Sequence, residues 1–153
     1  MKIRNLAIDI ISILFIMLFT YAAVSKLSDF QKFKVQLGQS PLLTNISGWI
    51  AWIIPAIEIF ITSLIASKKY KIIGMFGALV LMSLFTFYII AITKFSDYIP
   101  CSCGGILQHM TWGEHLLFNI IFALLAISAI AMEDLQLFFI AIKNRRNRKP
   151  VIE

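Results

Sequence analysis

The chain has 153 residues, 59% of them hydrophobic and 14% charged, with a mean hydropathy of +0.86 and a net charge of +6. Soluble domains run at about 45–50% apolar and about 25% charged, so the apolar excess is more than one water-facing core can bury, and lipid is the expected solvent. A cytosolic enzyme, a disordered chain and a disulfide-rich secreted module are excluded on this ground, and the length leaves room for one domain.

Four apolar runs follow in chain order. Residues 6–24 are broken only by Asp9 and small hydroxyl side chains, residues 46–66 by Glu58, and residues 72–93 and 116–132 carry no charge. Each is close to the roughly 20 residues that a helix needs to cross about 30 Å of hydrocarbon. None alternates with period two, and a helix satisfies its own backbone in lipid. The fold class expected is an all-α, integral membrane four-helix bundle. Lys2 and Arg4 before the first run imitate a signal peptide, but the run is longer than the roughly 7–15 residues of a signal core, and Ala22-Ala23 is a poor cleavage context. It reads as a retained helix. The domain expected is 1–142, with 143–153 as a basic cytoplasmic tail. No internal repeat or low-complexity segment stands out.

The basic residues sort by side. Ten of the fourteen precede span one, follow span four or lie in the short link at 68–71, whereas Lys26, Lys32, Lys34 and Lys94 fall on the other side. An excess of Lys and Arg marks the cytoplasmic face. Both termini are therefore expected inside, in the inner membrane of a bacterium. The basic tail is a topology and lipid-headgroup signal rather than a nucleic-acid site.

Two longer loops then face outward. In the first, residues 25–45, a short interfacial helix is expected, opened by Ser28 or Asp29 as N-cap and stopped near Gly38, with Pro41 barring continuation. The second, residues 94–113, holds the only two cysteines in Pro100-Cys101-Ser102-Cys103-Gly104-Gly105. Trp49, Trp52 and Trp112 form an aromatic belt at the same outer face. Residues 135–142 are apolar and either extend span four or lie along the inner surface.

A Cys-x-Cys ring meets disulfide geometry only with local strain, and strained, exposed disulfides are oxidising and labile. Gly104 and Gly105 free the backbone for the turn and Pro100 stiffens its entry. In an oxidising compartment the pair reads as a redox-active dithiol, against a structural disulfide or idle thiols. A soft-metal site completed by His109 and His115 is the third reading, since two thiolates alone do not close a zinc site.

Ionisable groups inside spans mark sites or buried pairs. Glu58 lies six residues deeper than Trp52, about 9 Å at 1.5 Å per residue. Lys26, just beyond span one at the same face, can dip inward to meet it, either as part of a site or as glue between helices. His115 and Asn119 share a helix face one turn apart and read as a helix contact or as a polar wall beneath the cysteines. Asp9, near the inner end of span one, is expected to snorkel or to pair with a basic residue. No cofactor is evident, and Phe85 and Phe87 do not by themselves make a quinone pocket.

Four stretches together resemble the MauE/DoxX-like family of redox-associated four-helix membrane proteins, closer to the methylamine-utilisation MauE branch: YAAVSKLSDF (21–30), WIIPAIEIF (52–60), CSCGGIL (101–107) and TWGEHLLFN (111–119). The resemblance covers about residues 6–132 and carries the family pattern onto Lys26, Pro55, Glu58, Cys101, Cys103, Trp112 and Asn119. Gly104 stands where the family often has an aromatic residue. What the resemblance implies is thiol-disulfide exchange, or maturation of disulfides in exported proteins, catalysed through Cys101 and Cys103. In the methylamine operon the beneficiary is a disulfide-rich dehydrogenase subunit. The bundle is also similar to quinone-linked disulfide oxidases, which use two cysteine pairs where this chain has one. A complete relay would need a partner, such as a periplasmic thioredoxin-like protein. The rival readings are a membrane scaffold or chaperone with a structural disulfide, and a metal- or small-molecule-handling protein using Glu58 and the histidines.

Overall fold

In the computed structural model residues 2–39, 43–95 and 111–147 are described, with side chains as far as residue 133 in the last helix. The described residues form helices and turns and contain no strand. Helix α1 spans Lys2–Ser28, α2 Phe30–Gly38, α3 Ser47–Ala66, α4 Lys71–Phe95 and α5 Trp112–Asn147, with one 3-10 turn at Thr44–Ile46 before α3. Four of them, all but α2, are long and apolar enough to cross a membrane.

Each long helix turns one stripe inward. On α1 the buried positions are Ile8, Ile11, Ser12, Phe15, Phe19, Ala23 and Lys26; on α3 they are Ala51, Pro55, Glu58, Ile61 and Ile65. Spacings of three and four residues place each set on one helix face. The opposite faces are apolar and open: Ile3 is 85% exposed and Phe87 71%. An apolar exterior around an interior that includes Lys26 and Glu58 inverts the order of a water-soluble bundle, as a bilayer requires. Hydroxyls on these helices donate to a carbonyl one turn back: Ser12 to Ile8, Thr62 to Glu58, Ser83 to Leu79 and Thr86 to Met82. That leaves none of these donors unmet against lipid.

Helix α4 packs most extensively on α5, and α1 on α3; α3 on α4 and α1 on α5 close the ring. The middle of the core is aromatic, with Phe15 edge-on to Phe122 at 5.3 Å between centroids. At one end Lys71 donates to Asp9 at 2.7 Å, tying the first turns of α4 to α1; the basic partner expected for Asp9 is thus Lys71. At the other end α2 lies against α3 through Phe33, Leu37 and Ala51.

Three helix ends bear on the expectations, and one of them, the start of α5, differs. Asp29 is the N-cap of α2, but its side chain makes no cap hydrogen bond, so apolar docking on α3 and not the cap holds this helix. Helix α5 begins at Trp112, four residues before the apolar run, because Thr111 and Glu114 form a capping box: the Thr111 N–H donates to Glu114 Oε2 at 2.7 Å and the Glu114 N–H to Thr111 Oγ1 at 3.4 Å. At its far end α5 runs unbroken to Asn147, so the backbone of 135–142 continues span four.

Candidate functional site

The inward stripes stop being apolar near the end of the bundle where α2 docks. There Lys26 of α1, Glu58 of α3, and His115 and Asn119 of α5 are 8%, 0%, 8% and 4% exposed. The Lys26 ammonium donates to Glu58 Oε1 at 2.6 Å and weakly to the Ala22 carbonyl at 3.5 Å. Lys26 is the last inward position of α1, and its four-carbon stem carries the charge down to the level of Glu58. Pro55 and Ala51 share the buried stripe with Glu58. Pro55 gives α3 no N–H to hand to the preceding turn, which loosens the helix just above the carboxylate.

Two rings box the ammonium. The centroids of Phe33 on α2 and Phe85 on α4 each lie 5.9 Å from Lys26 Nζ, within the range of cation–π attraction. All five helices therefore contribute to one polar centre. His115 stands within electrostatic reach of Lys26, and Asn119 follows it one turn deeper. Three buried atoms here have no hydrogen-bond partner among the described residues: Glu58 Oε2, His115 Nδ1 and His115 Nε2. A buried polar atom without a partner costs about 1–3 kcal/mol, so such atoms concentrate where function requires them.

Of the residues singled out in the sequence, Lys26, Glu58, His115 and Asn119 come together. Trp112 sits half-buried at the start of α5, at the same end as the exposed Trp49 and Trp52, the latter stacked on Phe30 at 4.5 Å. Pro100, Cys101, Cys103, Gly104, Gly105 and His109 lie outside the described residues, as does Pro41. Among the described residues no group of three His, Cys, Asp or Glu side chains could hold a metal. Phe85 lies in an apolar run and Phe33 on a short amphipathic stretch between Lys32 and Lys34, where an aromatic looks like packing; only the rotation of α2 and α4 brings them to the cation. Thr111 and Glu114 were findable from the Thr-x-x-Glu spacing.

The family model of methylamine utilisation protein MauE matches residues 4–132, which contain the four spanning helices' inward stripes and the whole polar centre. The chain belongs to the MauE family. Neither a curated protein nor a solved structure matches it. Within this MauE-family protein the polar centre can do three things chemically: hold a charge pair away from water, present an unused carboxylate oxygen, and present an imidazole free at both nitrogens. It is a multi-pass membrane protein with a buried Lys26–Glu58 pair at one end.

Proposed function

We propose that this MauE-family membrane protein supports thiol-disulfide exchange in exported proteins, with Cys101 and Cys103 as the redox pair on the outer face of a bacterial inner membrane. The observation that carries the reading is the buried Lys26–Glu58 pair with His115 beside it, at the end of the bundle where α4 stops and α5 starts. The residues between those helices hold the only cysteines of the chain. The thiolate is the reactive form of each cysteine.

In the reaction, a client thiolate attacks one sulfur of the Cys101–Cys103 disulfide and displaces the other as thiolate. The client's second thiolate then attacks the mixed disulfide. The client leaves oxidised by two electrons, and the cysteine pair stays behind as a dithiol. A thioredoxin-like partner carrying a disulfide takes the two electrons back by the same exchange in reverse. With one pair in the chain, that second disulfide has to come from another molecule.

The test is redox-state trapping in cells. Cys101 and Cys103 are expected in both oxidised and reduced forms, and Cys101→Ser or Cys103→Ser is expected to accumulate a mixed disulfide with a client or partner. A pair that stays fully oxidised in cells, with no mixed disulfide in either variant, leaves a structural disulfide in a scaffold and overturns the reading.

A further inference from the structure

Helix α2 covers the polar centre and is held down at few points. It buries two side chains, Phe33 and Leu37, at 2% and 4% exposure, against Ala51 of α3. It packs mainly on α3 and only lightly on α1. Its nine residues are too few for a stable helix in isolation, where even about 12–15 are marginal, and Asp29 adds no cap bond. Docking on α3 is therefore what keeps α2 helical and in place. Gln31, Lys32 and Lys34 on its other side are exposed.

The two ends of α2 are anchored differently. At its start, Asp29 alone separates α2 from α1, with φ −113° and ψ 46° outside the helical region, and Phe30 stacks on Trp52 of α3 at 4.5 Å. At its far end Gly38 faces Ser47, the first residue of α3. Between the two ends the Phe33 ring lies over the Lys26 ammonium. The docked state leaves Gln36 Oε1 of α2 without a hydrogen-bond partner among the described residues, as it does Glu58 Oε2 and both His115 nitrogens. Burial of Phe33 and Leu37 favours docking, and the unmet polar atoms oppose it. Local opening is drawn from elements with so few buried contacts.

We infer that α2 is a hinged lid over the polar centre, pivoting at Asp29 and lifting Phe33 from Lys26 so that water reaches the Lys26–Glu58 pair and His115 from this end of the bundle. The Phe30–Trp52 stack holds the pivot, and the Gly38 end moves away from Ser47. With α2 lifted, water satisfies Glu58 Oε2, the His115 nitrogens and Gln36; with α2 docked, Phe33 seals them in. Beyond the centre Phe15 and Phe19, at 0% and 1% exposure, close the interior, so entry is from one side. The lid uses neither cysteine and is independent of the thiol chemistry.

Alkylation of the full chain in detergent by iodoacetamide, a small water-soluble probe, tests it in a Cys101→Ser/Cys103→Ser background. His115→Cys and, in a second protein, Asn119→Cys report from the centre, and Ala126→Cys reports from the core beyond it. Peptide mass spectrometry reads the modification at each position. Both centre reporters are expected to react slowly, and Phe33→Ala to speed them tenfold or more. Gly38→Cys with Ser47→Cys should form a disulfide, because a Cβ on Gly38 would lie 4.0 Å from that of Ser47, inside the usual range of about 3.5–4.5 Å. That tether should slow both centre reporters tenfold or more, and reduction should restore their rates. Ala126→Cys should stay unreactive throughout. A tether that does not form, a tether that leaves the rates unchanged, or an Ala126→Cys that reacts as fast as the centre overturns the inference, the last because the whole bundle would then be opening. Because the native cysteines are absent from this experiment, its failure leaves the redox reading untouched, and failed trapping of mixed disulfides leaves the lid untouched.

Discussion

Glu58 gives one carboxylate oxygen to Lys26 and leaves the other without a protein partner, at 0% exposure. A buried pair of this kind gains little over well-packed apolar residues, because desolvation offsets the attraction, but removing one partner strands the other and costs about 3–5 kcal/mol. Lys26→Met alone should therefore lower stability in detergent by about that amount, read by thermal unfolding followed by circular dichroism. Lys26→Met with Glu58→Leu should recover most of the loss. A double variant as unstable as the single one would mean that the pair is not coupled as its geometry implies. The pair was legible in the sequence because an acid inside an apolar run and a lysine at a span's edge are both anomalies in lipid. The rings of Phe33 and Phe85 were not, since nothing in an apolar run or an amphipathic stretch distinguishes an aromatic that faces a cation from one that packs or faces lipid.

At the scale of elements, α3 and α4 approach closely near the turn that joins them. The turn between them has only four residues, and Gly74 lies where an added Cβ would come within 2.7 Å of both the Ile65 backbone nitrogen and its Cγ1. One helical turn on, Gly77 would place a Cβ 3.2 Å from Ile61 Cγ1. Small residues three apart let two helices pack backbone to backbone, which is how helices associate where lipid removes the hydrophobic drive. Gly74→Ala should push α3 and α4 apart and destabilise the protein by about 1–3 kcal/mol, as overpacking does. Gly113→Ala, whose Cβ would meet nothing within 4 Å, should be close to neutral in the same melts. Equal melting of the two variants would remove Gly74 from the interface. The spans themselves were readable to within a few residues, because hydrocarbon thickness sets their length. Their ends were not, because polar caps and turns decide them: the Thr111–Glu114 box starts α5 early, and α5 reaches Asn147, 36 residues or about 54 Å in all, well beyond the roughly 30 Å of hydrocarbon.

For the whole molecule, the two ends of the bundle are built differently, and that difference bears on orientation. One end is closed by an exposed ion pair, Asp9–Lys71, and by the short basic link of Lys68, Lys69 and Lys71. The other carries the short helix α2, the exposed Trp49 and Trp52, and the buried polar centre. A short loop dense in lysine stays in the cytoplasm because translocating it is unfavourable, whereas tryptophan marks an interface without saying which. The charge asymmetry, and not the belt, is therefore what the proposed orientation rests on, with the Lys68–Lys71 link in the cytoplasm and the α2 end outside. With Cys101 and Cys103 replaced by serine, Asn45→Cys should react with a membrane-impermeant maleimide in intact cells, while Lys69→Cys should react only after permeabilisation. Both positions are exposed, so a silent site reflects sidedness rather than burial. The reverse pattern would put the cysteine-bearing connection between α4 and α5 in the reducing cytoplasm, where a persistent Cys101–Cys103 disulfide is not expected, and it would remove the basis for exchange with exported proteins while leaving the helices' packing as it is.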